Sequence, residues 1–300
     1  MKTQEHTALP EGRDIPFLLL GILGIGSSGP VIAKSVMPIS TLVFWRNLGG
    51  ALIIAPFAYR KKEWRVLSNR PALKLSALSG VLLGFHFLAF FAAMRFTTVA
   101  AGTALASLQP IFTALYLKFK GARISAQSMI GLFLAFGSVM LITGVDFTLS
   151  TRAFTGDLFG ILSGALAAGY VLIGSGVQKT LSTSTYTTIC YGTCALVTLI
   201  TALATKSEIL HFQLNQWFLL FSLIIGAQLL GHSLFNLTLK RVSPVVVSLI
   251  VFFEVPVSAV IALIWLHQKP QPGTIPGIIG LLIGCAIFVL RNKPIEVSVD

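Results

Sequence analysis

Of the ten carboxylates in the chain, Glu254 is the one that lies well inside an apolar run, within Leu249 to Val260. A charge held at the centre of a bilayer costs roughly 2.5–3.5 kcal/mol on insertion scales for Asp, Lys or Arg, so Glu254 is expected to face a protein interior. There it can carry a proton or bind an amine, or it can act as a structural partner hydrogen-bonded across helices. Both readings stand. Arg46 sits seven residues into another apolar run, about 10 Å below its boundary at about 1.5 Å per residue. Its guanidinium can bind a carboxylate or close a gate. The alternatives are snorkelling outward and a structural helix contact. Gln228, His232 and Asn236 follow one another at i, i+4 and i+8, a polar stripe on one helix face that lipid would not tolerate. That stripe brings His232 towards a substrate path, although a membrane histidine also serves as a packing hydrogen-bonder. The same two readings apply to His86. Tyr170, Tyr186, Tyr191 and Trp45 have polar edges that need partners, which favours them as pocket residues over most of the 22 Phe.

Breaks in the backbone are a second set of candidates. The stretch Gly24, Gly26, Ser27, Ser28, Gly29 and Pro30 weakens a helix and lets a substrate or a neighbouring helix approach its backbone. Pro110 and Pro256 lack an amide hydrogen and free the carbonyls of Ala106 and Phe252, four residues earlier. Gly29, Pro30, Pro110 and Pro256 are therefore candidate hinge or gate positions, with plain helix packing as the competing account.

The elements that must position these residues follow from composition. Of 300 residues, 55% are hydrophobic and 11% charged, against about 25% charged in a soluble domain. At about 20 apolar residues per span, the chain predicts an all-α polytopic membrane protein with ten transmembrane helices. They run approximately over Pro16 to Ala33, Ile39 to Ala58, Ala72 to Met94, Thr97 to Leu117, Ile124 to Val145, Gly156 to Val177, Ser184 to Thr205, Gln216 to Leu239, Val242 to Leu266 and Gly273 to Leu290. The net charge of +12 would suggest nucleic acid in a soluble protein. Here sixteen Lys and Arg fall in segments on one side of the predicted topology and five on the other, with Arg46 inside a span. That asymmetry is the positive-inside pattern and places both termini in the cytoplasm. It also argues against nucleic acid as a partner, because the cations are dealt out among short loops. The first fifteen residues mix both signs and precede a run too long for a signal peptide's apolar region, so the first helix is expected to be retained.

Sliding the chain against itself by 146 positions places His86 on His232, Arg95 on Arg241, Pro110 on Pro256 and Gly131 on Gly277. At 145, Lys34 meets Lys179. Five spans per unit is an odd number, so the second copy must be inverted. The expected organisation is a cytoplasmic tail over 1–15, a first five-helix repeat over 16–145, an external linker over 146–155, a second, inverted five-helix repeat over 156–291 and a cytoplasmic tail over 292–300. Inverted repeats are typical of secondary transporters, whose site lies near the midplane between them.

No Walker loop, His-Glu-x-x-His motif or Gly-x-Ser-x-Gly elbow occurs in the sequence. Cys190, Cys194 and Cys285 lie in apolar stretches without metal-ligand spacing and read as small packing residues. The chain is accordingly expected to be no enzyme and to use no cofactor or metal.

Across nearly all of Pro16 to Arg291 the chain resembles the EamA-type members of the drug/metabolite transporter superfamily. The resemblance is carried by the Gly/Ser-rich first span ending in Lys34 and by Phe44, Trp45 and Arg46 opening the second helix. Each half also has a small-residue helix, Pro110 or Pro256, a short basic loop and a Gly-rich helix. Family members often have an acid directly before the Pro and Gly-Glu after that helix. Here Gln109 precedes Pro110, Glu254 stands two before Pro256, and His267 and Gln268 occupy the later position. The resemblance implies export of a small metabolite, an amino acid or related amphipathic compound, across the cytoplasmic (inner) membrane by alternating access. A facilitative channel or uniporter, or an uptake permease, is the alternative. The expected partners are a small-molecule substrate, the lipid bilayer and, as an option, a second copy forming a homodimer. The candidate substrate-binding or coupling residues are Glu254, Arg46, His86, His232, Gln228, Asn236, Gln109 and Tyr170.

Overall fold

The computed structural model describes residues 9–60, 70–121, 124–144 and 150–291, with no strand among them. The expected tails over 1–8 and 292–300, the cations Lys2, Lys61, Lys62, Arg65, Arg123 and Lys293, and 146–149 of the expected linker lie outside the described residues. Backbone amides and carbonyls find no water in a bilayer core, so each long apolar run satisfies them internally by coiling. The rods are α1 (Ile15–Lys34), α2 (Ile39–Arg60), α3 (Arg70–Phe96), α4 (Val99–Phe119), α5 (Ala126–Thr143), α6 (Thr151–Val177), α7 (Thr183–Ala204), α8 (Leu214–Thr238), α9 (Pro244–Leu266) and α10 (Thr274–Arg291). Among the described residues the first nine are long and apolar enough to cross a membrane, and α10 contributes a shorter apolar stretch, Thr274–Phe288.

Hydroxyl side chains set several helix starts. Thr98, Ser125, Ser150, Ser182 and Ser243 accept the amides of Ala101, Ser128, Ala153, Thr185 and Val246 and so cap α4, α5, α6, α7 and α9. The cap at Ser150 starts α6 five residues before the expected Gly156, so the end of the expected linker is helical and Asp157 lies inside the helix, buried.

The helices run alternately up and down, as their contacts require. Two faces result, one carrying Asp14 and Arg241, the other Arg95 and Gln268. α3 packs against α6 and α7, α2 against α7, α5 against α10, and α1 against α8. The α1–α8 crossing is close enough to demand glycine: a Cβ on Gly24 would stand 2.5 Å from the Gly226 carbonyl oxygen and 2.9 Å from the Gly231 nitrogen. Large apolar side chains such as Leu23, Leu52, Phe119, Phe133, Phe218 and Ile264 point outward, as a surface solvated by lipid requires.

At the Arg95 face the connections are stitched by hydrogen bonds. Arg95 donates to the Met37 carbonyl at 2.6 Å, Trp45 Nε1 to that of Ile209 at 2.8 Å and Thr41 to that of Glu208 at 2.7 Å. The amides of Leu210, His211 and Ile209 converge on the exposed Glu208 carboxylate and pull its pKa down to about 2. At the opposite face Asp14, fully buried just before α1, is ion-paired with Arg241, which follows α8 and is only part-exposed.

Candidate functional site

Four helices lose regular α winding. α1 breaks at Ser27, three residues before Pro30. α4 breaks at Ser107–Leu108, just before a new start with Gln109 and Pro110. α9 tightens to a 3₁₀ turn over Val251–Phe253 and resumes at Glu254, two residues before Pro256. α8 is wound as a π-helix from Leu223 to Ser233. Proline accounts for the first three, since each removes an amide and frees a carbonyl one turn back. The breaks in α4 and α9 fall at matched positions of the 146-residue offset.

One internal cavity lies where these irregular segments meet. Ser28 of α1, Ala106 and Gln109 of α4, His232 and Asn236 of α8, and Val251 and Glu254 of α9 line it, with Arg46 of α2, His86, Phe87 and Phe90 of α3 and Tyr170 of α6. Its lining residues are all buried apart from the half-buried His232 and Val251. It leaves about 60 Å³ for the centres of water-sized molecules, room for several waters or a small solute.

Arg46 does not snorkel: it is 1% exposed. Its Nε donates to Gln228 Oε1 at 2.8 Å, and its Cζ lies 4.1 Å from the centroid of the Phe87 ring, a cation–π contact. Nη2 has no partner. Glu254 is 7% exposed and shares the cavity with Arg46, and the described ion pairs do not join the two.

His86 Nδ1 lies 3.0 Å from the Ser163 carbonyl oxygen and 2.9 Å from the Ser163 hydroxyl. The carbonyl can only accept, so donation to it by Nδ1–H leaves Nε2 as an acceptor. His232 stands edge-on to His86 at 6.3 Å and to Phe87 at 5.0 Å between centroids. Asn236 donates to the Tyr170 hydroxyl and to the His232 carbonyl, which leaves its Oδ1 buried without a partner. Gln109 spends its amide on Ser248 at 2.7 Å.

The structure thus gathers Glu254, Arg46, His86, His232, Asn236, Gln109 and Tyr170 around one space. Gln228 is not among its lining residues but stands behind Arg46, to which it is hydrogen-bonded, within the segment of α8 wound as a π-helix. Gly29, Pro30, Pro110 and Pro256 flank the breaks without lining the cavity. Phe85, grouped in sequence with Phe87 and Phe90, is about half exposed on the outer surface. Sequence reasoning missed Ser163 and Asn47, the latter accepting from Gln228 at 3.0 Å; an Asn inside an apolar span was the available signal. At the departures from the family pattern, His267 ends α9 in the left-handed conformation and Gln268 accepts the amide of Val99 at the start of α4. No three His, Cys, Asp or Glu side chains converge for a metal ion among the described residues.

The chain matches the model of the EamA-like transporter family over residues 13–144 and 154–290. A solved structure described only as "Crystal structure of protein" superposes with a TM-score of 0.70 at 14% identity, over 94% of this chain and 98% of that one, a likeness of fold alone. No curated protein sequence matches.

Proposed function

Because the chain belongs to the EamA-like transporter family of multi-pass membrane proteins, we propose that it is a secondary active transporter that exports a small metabolite, an amino acid or related amphipathic compound, across the cytoplasmic membrane by alternating access. The observation that carries this reading is the buried cavity, lined by charged, polar and aromatic groups and bounded by breaks in helices from both halves. An ungated pore would need a continuous path. A buried pocket whose walls contain interrupted helices instead suits a carrier that opens to one side at a time.

Ten spans as two inverted five-helix repeats fit the arrangement. Matched helices such as α3 and α8, or α4 and α9, run in opposite directions, and the self-matched pairs α2–α7 and α5–α10 pack together as a pseudo-two-fold axis predicts. With both termini cytoplasmic, the Asp14 face is the inner one. Glu254, Arg46, His86, His232, Asn236, Gln109 and Tyr170 surround the substrate, Gln228 supports Arg46, and Gly29, Pro30, Pro110 and Pro256 serve the hinges.

Counterflow in proteoliposomes tests the reading. Saturable uptake of a labelled metabolite stimulated by the same metabolite inside supports a carrier; unsaturable flux without exchange overturns it in favour of a channel.

A further inference from the structure

The Arg46 guanidinium is held as if for a guest. An arginine keeps its charge inside a protein, and a buried cation is costly unless it is paired and fully hydrogen-bonded. Arg46 has a neutral partner, Gln228, on Nε and an aromatic ring beside it, while Nη2 has no hydrogen-bond partner and Glu254, in the same cavity, lies within electrostatic reach but makes no described ion pair with it.

The support behind it is fixed atom by atom. Arginine can only donate, so Gln228 must turn its oxygen to Arg46 and its amide to Asn47. Asn47 must then present its oxygen to Gln228, and its own amide goes to the Val43 carbonyl at 2.9 Å. This relay crosses from α8 to α2 and sets the plane of the guanidinium. A second buried atom without a partner, the Asn236 oxygen, belongs to a side chain that lines the same cavity.

We propose that the cavity takes a small solute bearing a single carboxylate, which docks on the unpartnered Nη2 edge of Arg46, and that Gln228 and Asn47 are the positioning residues that aim that edge. A hydrogen-bond donor elsewhere on the solute meets Asn236, and its apolar part lies against Phe87 and Phe90. One cation beside Glu254 suits a monoanionic group better than a dianionic phosphate or sulfate. The proposal rests on the transport reading for the cavity's role as a solute site and deepens it by naming the group that is recognised.

The test is thermal stabilisation of the full chain in lipid nanodiscs by a set of small amino acids and short carboxylic acids, each beside its primary amide. At least one acid is expected to stabilise saturably, with its amide at least tenfold weaker. Gln228→Glu gives Arg46 an internal carboxylate, so it is expected to abolish that binding while the unliganded melting temperature holds or rises. Gln228→Leu is expected to weaken binding about tenfold and keep the preference for acid over amide. An amide that matches its acid, undiminished binding by Gln228→Glu, or no stabilising acid in the set would overturn the proposal. Counterflow of a solute that has no carboxylate would also overturn it and leave the transport reading standing. Acid binding without counterflow would support it and remove the transport reading.

Discussion

His86 and His232 are 146 positions apart in the chain, and their rings meet nearly edge-on at 6.3 Å in the cavity. The matched pair is unequal in its bonds. His86 is anchored by Ser163 of α6, whereas the contacts of the His232 ring are with the rings of His86, Phe87 and Tyr170. The anchored histidine holds α3 to α6, whereas no described hydrogen bond engages the ring of the other.

Stability and transport should therefore separate between the two. His86→Leu strands a buried hydroxyl and is expected to cost about 1–3 kcal/mol, read as a lower melting temperature. His232→Leu is expected to leave melting within about 0.5 kcal/mol and to cut exchange at least tenfold. Equal losses of stability would show that the asymmetry has no energetic weight.

Glu254 is expected to act in coupling and not in docking. Glu254→Gln keeps the shape of the side chain but cannot release a proton. It should abolish accumulation driven by a pH gradient and spare counterflow. Unchanged pH-driven accumulation would take Glu254 out of the mechanism.

Asp14 predicts where its ion pair with Arg241 is sensitive to acid. Burial alone would raise its carboxyl, but the hydrogen bonds from Arg241 and the Glu11 amide and the positive charge of Arg241 and Arg13 outweigh it and hold it below its ordinary value. For a depressed carboxyl, the stabilisation is complete above the unfolded value of about 3.9 and is lost as pH falls through the folded value. Asp14→Asn should thus lower melting by the same amount at pH 6 and pH 8, and the difference should shrink below about pH 4. A difference that changes between pH 6 and 8 would show that another group controls this contact.

His267 closes α9 at φ 54°, and Gly121 closes α4 at φ 90° at the matched position. The left-handed conformation costs an L-residue roughly 1–2 kcal/mol, and the added freedom of glycine in the unfolded chain takes back about 0.4–1 kcal/mol. His267→Gly should raise stability by up to about 1 kcal/mol, visible in thermal unfolding. A fall would mean that the imidazole makes contacts worth more than the strain.

The apolar runs made the helices legible, because uninterrupted hydrophobicity over about 20 residues leaves a chain few other options. The prolines likewise announced the breaks in α4 and α9. The winding of α8 was not legible: Leu223 to Ser233 contains nothing that distinguishes π from α. Arg46 was visible as an anomaly, yet its burial depends on Gln228 and Phe87 from other helices, contacts that no local spacing encodes. The depth of Asp157 was missed because a single serine cap moved the start of α6.

The two faces are closed by different physics. At the Arg95 face the ties run from Arg95, Trp45 and Thr41 to backbone carbonyls, whereas α1 and Arg241 are joined through opposite charges. Dissolved ions weaken attraction between charges only where water reaches them, and Arg241 is the part-exposed member of its pair. They do little to a hydrogen bond with a neutral carbonyl. Labelling of a thiol introduced by Leu239→Cys, on the cavity wall near Arg241, should accordingly grow with salt, and labelling indifferent to salt would refute the contrast. On the transport reading proposed above, the electrolyte bathing Arg241 is thus a dial on the waiting state of the protein: the saltier that compartment, the more readily the cavity would face it.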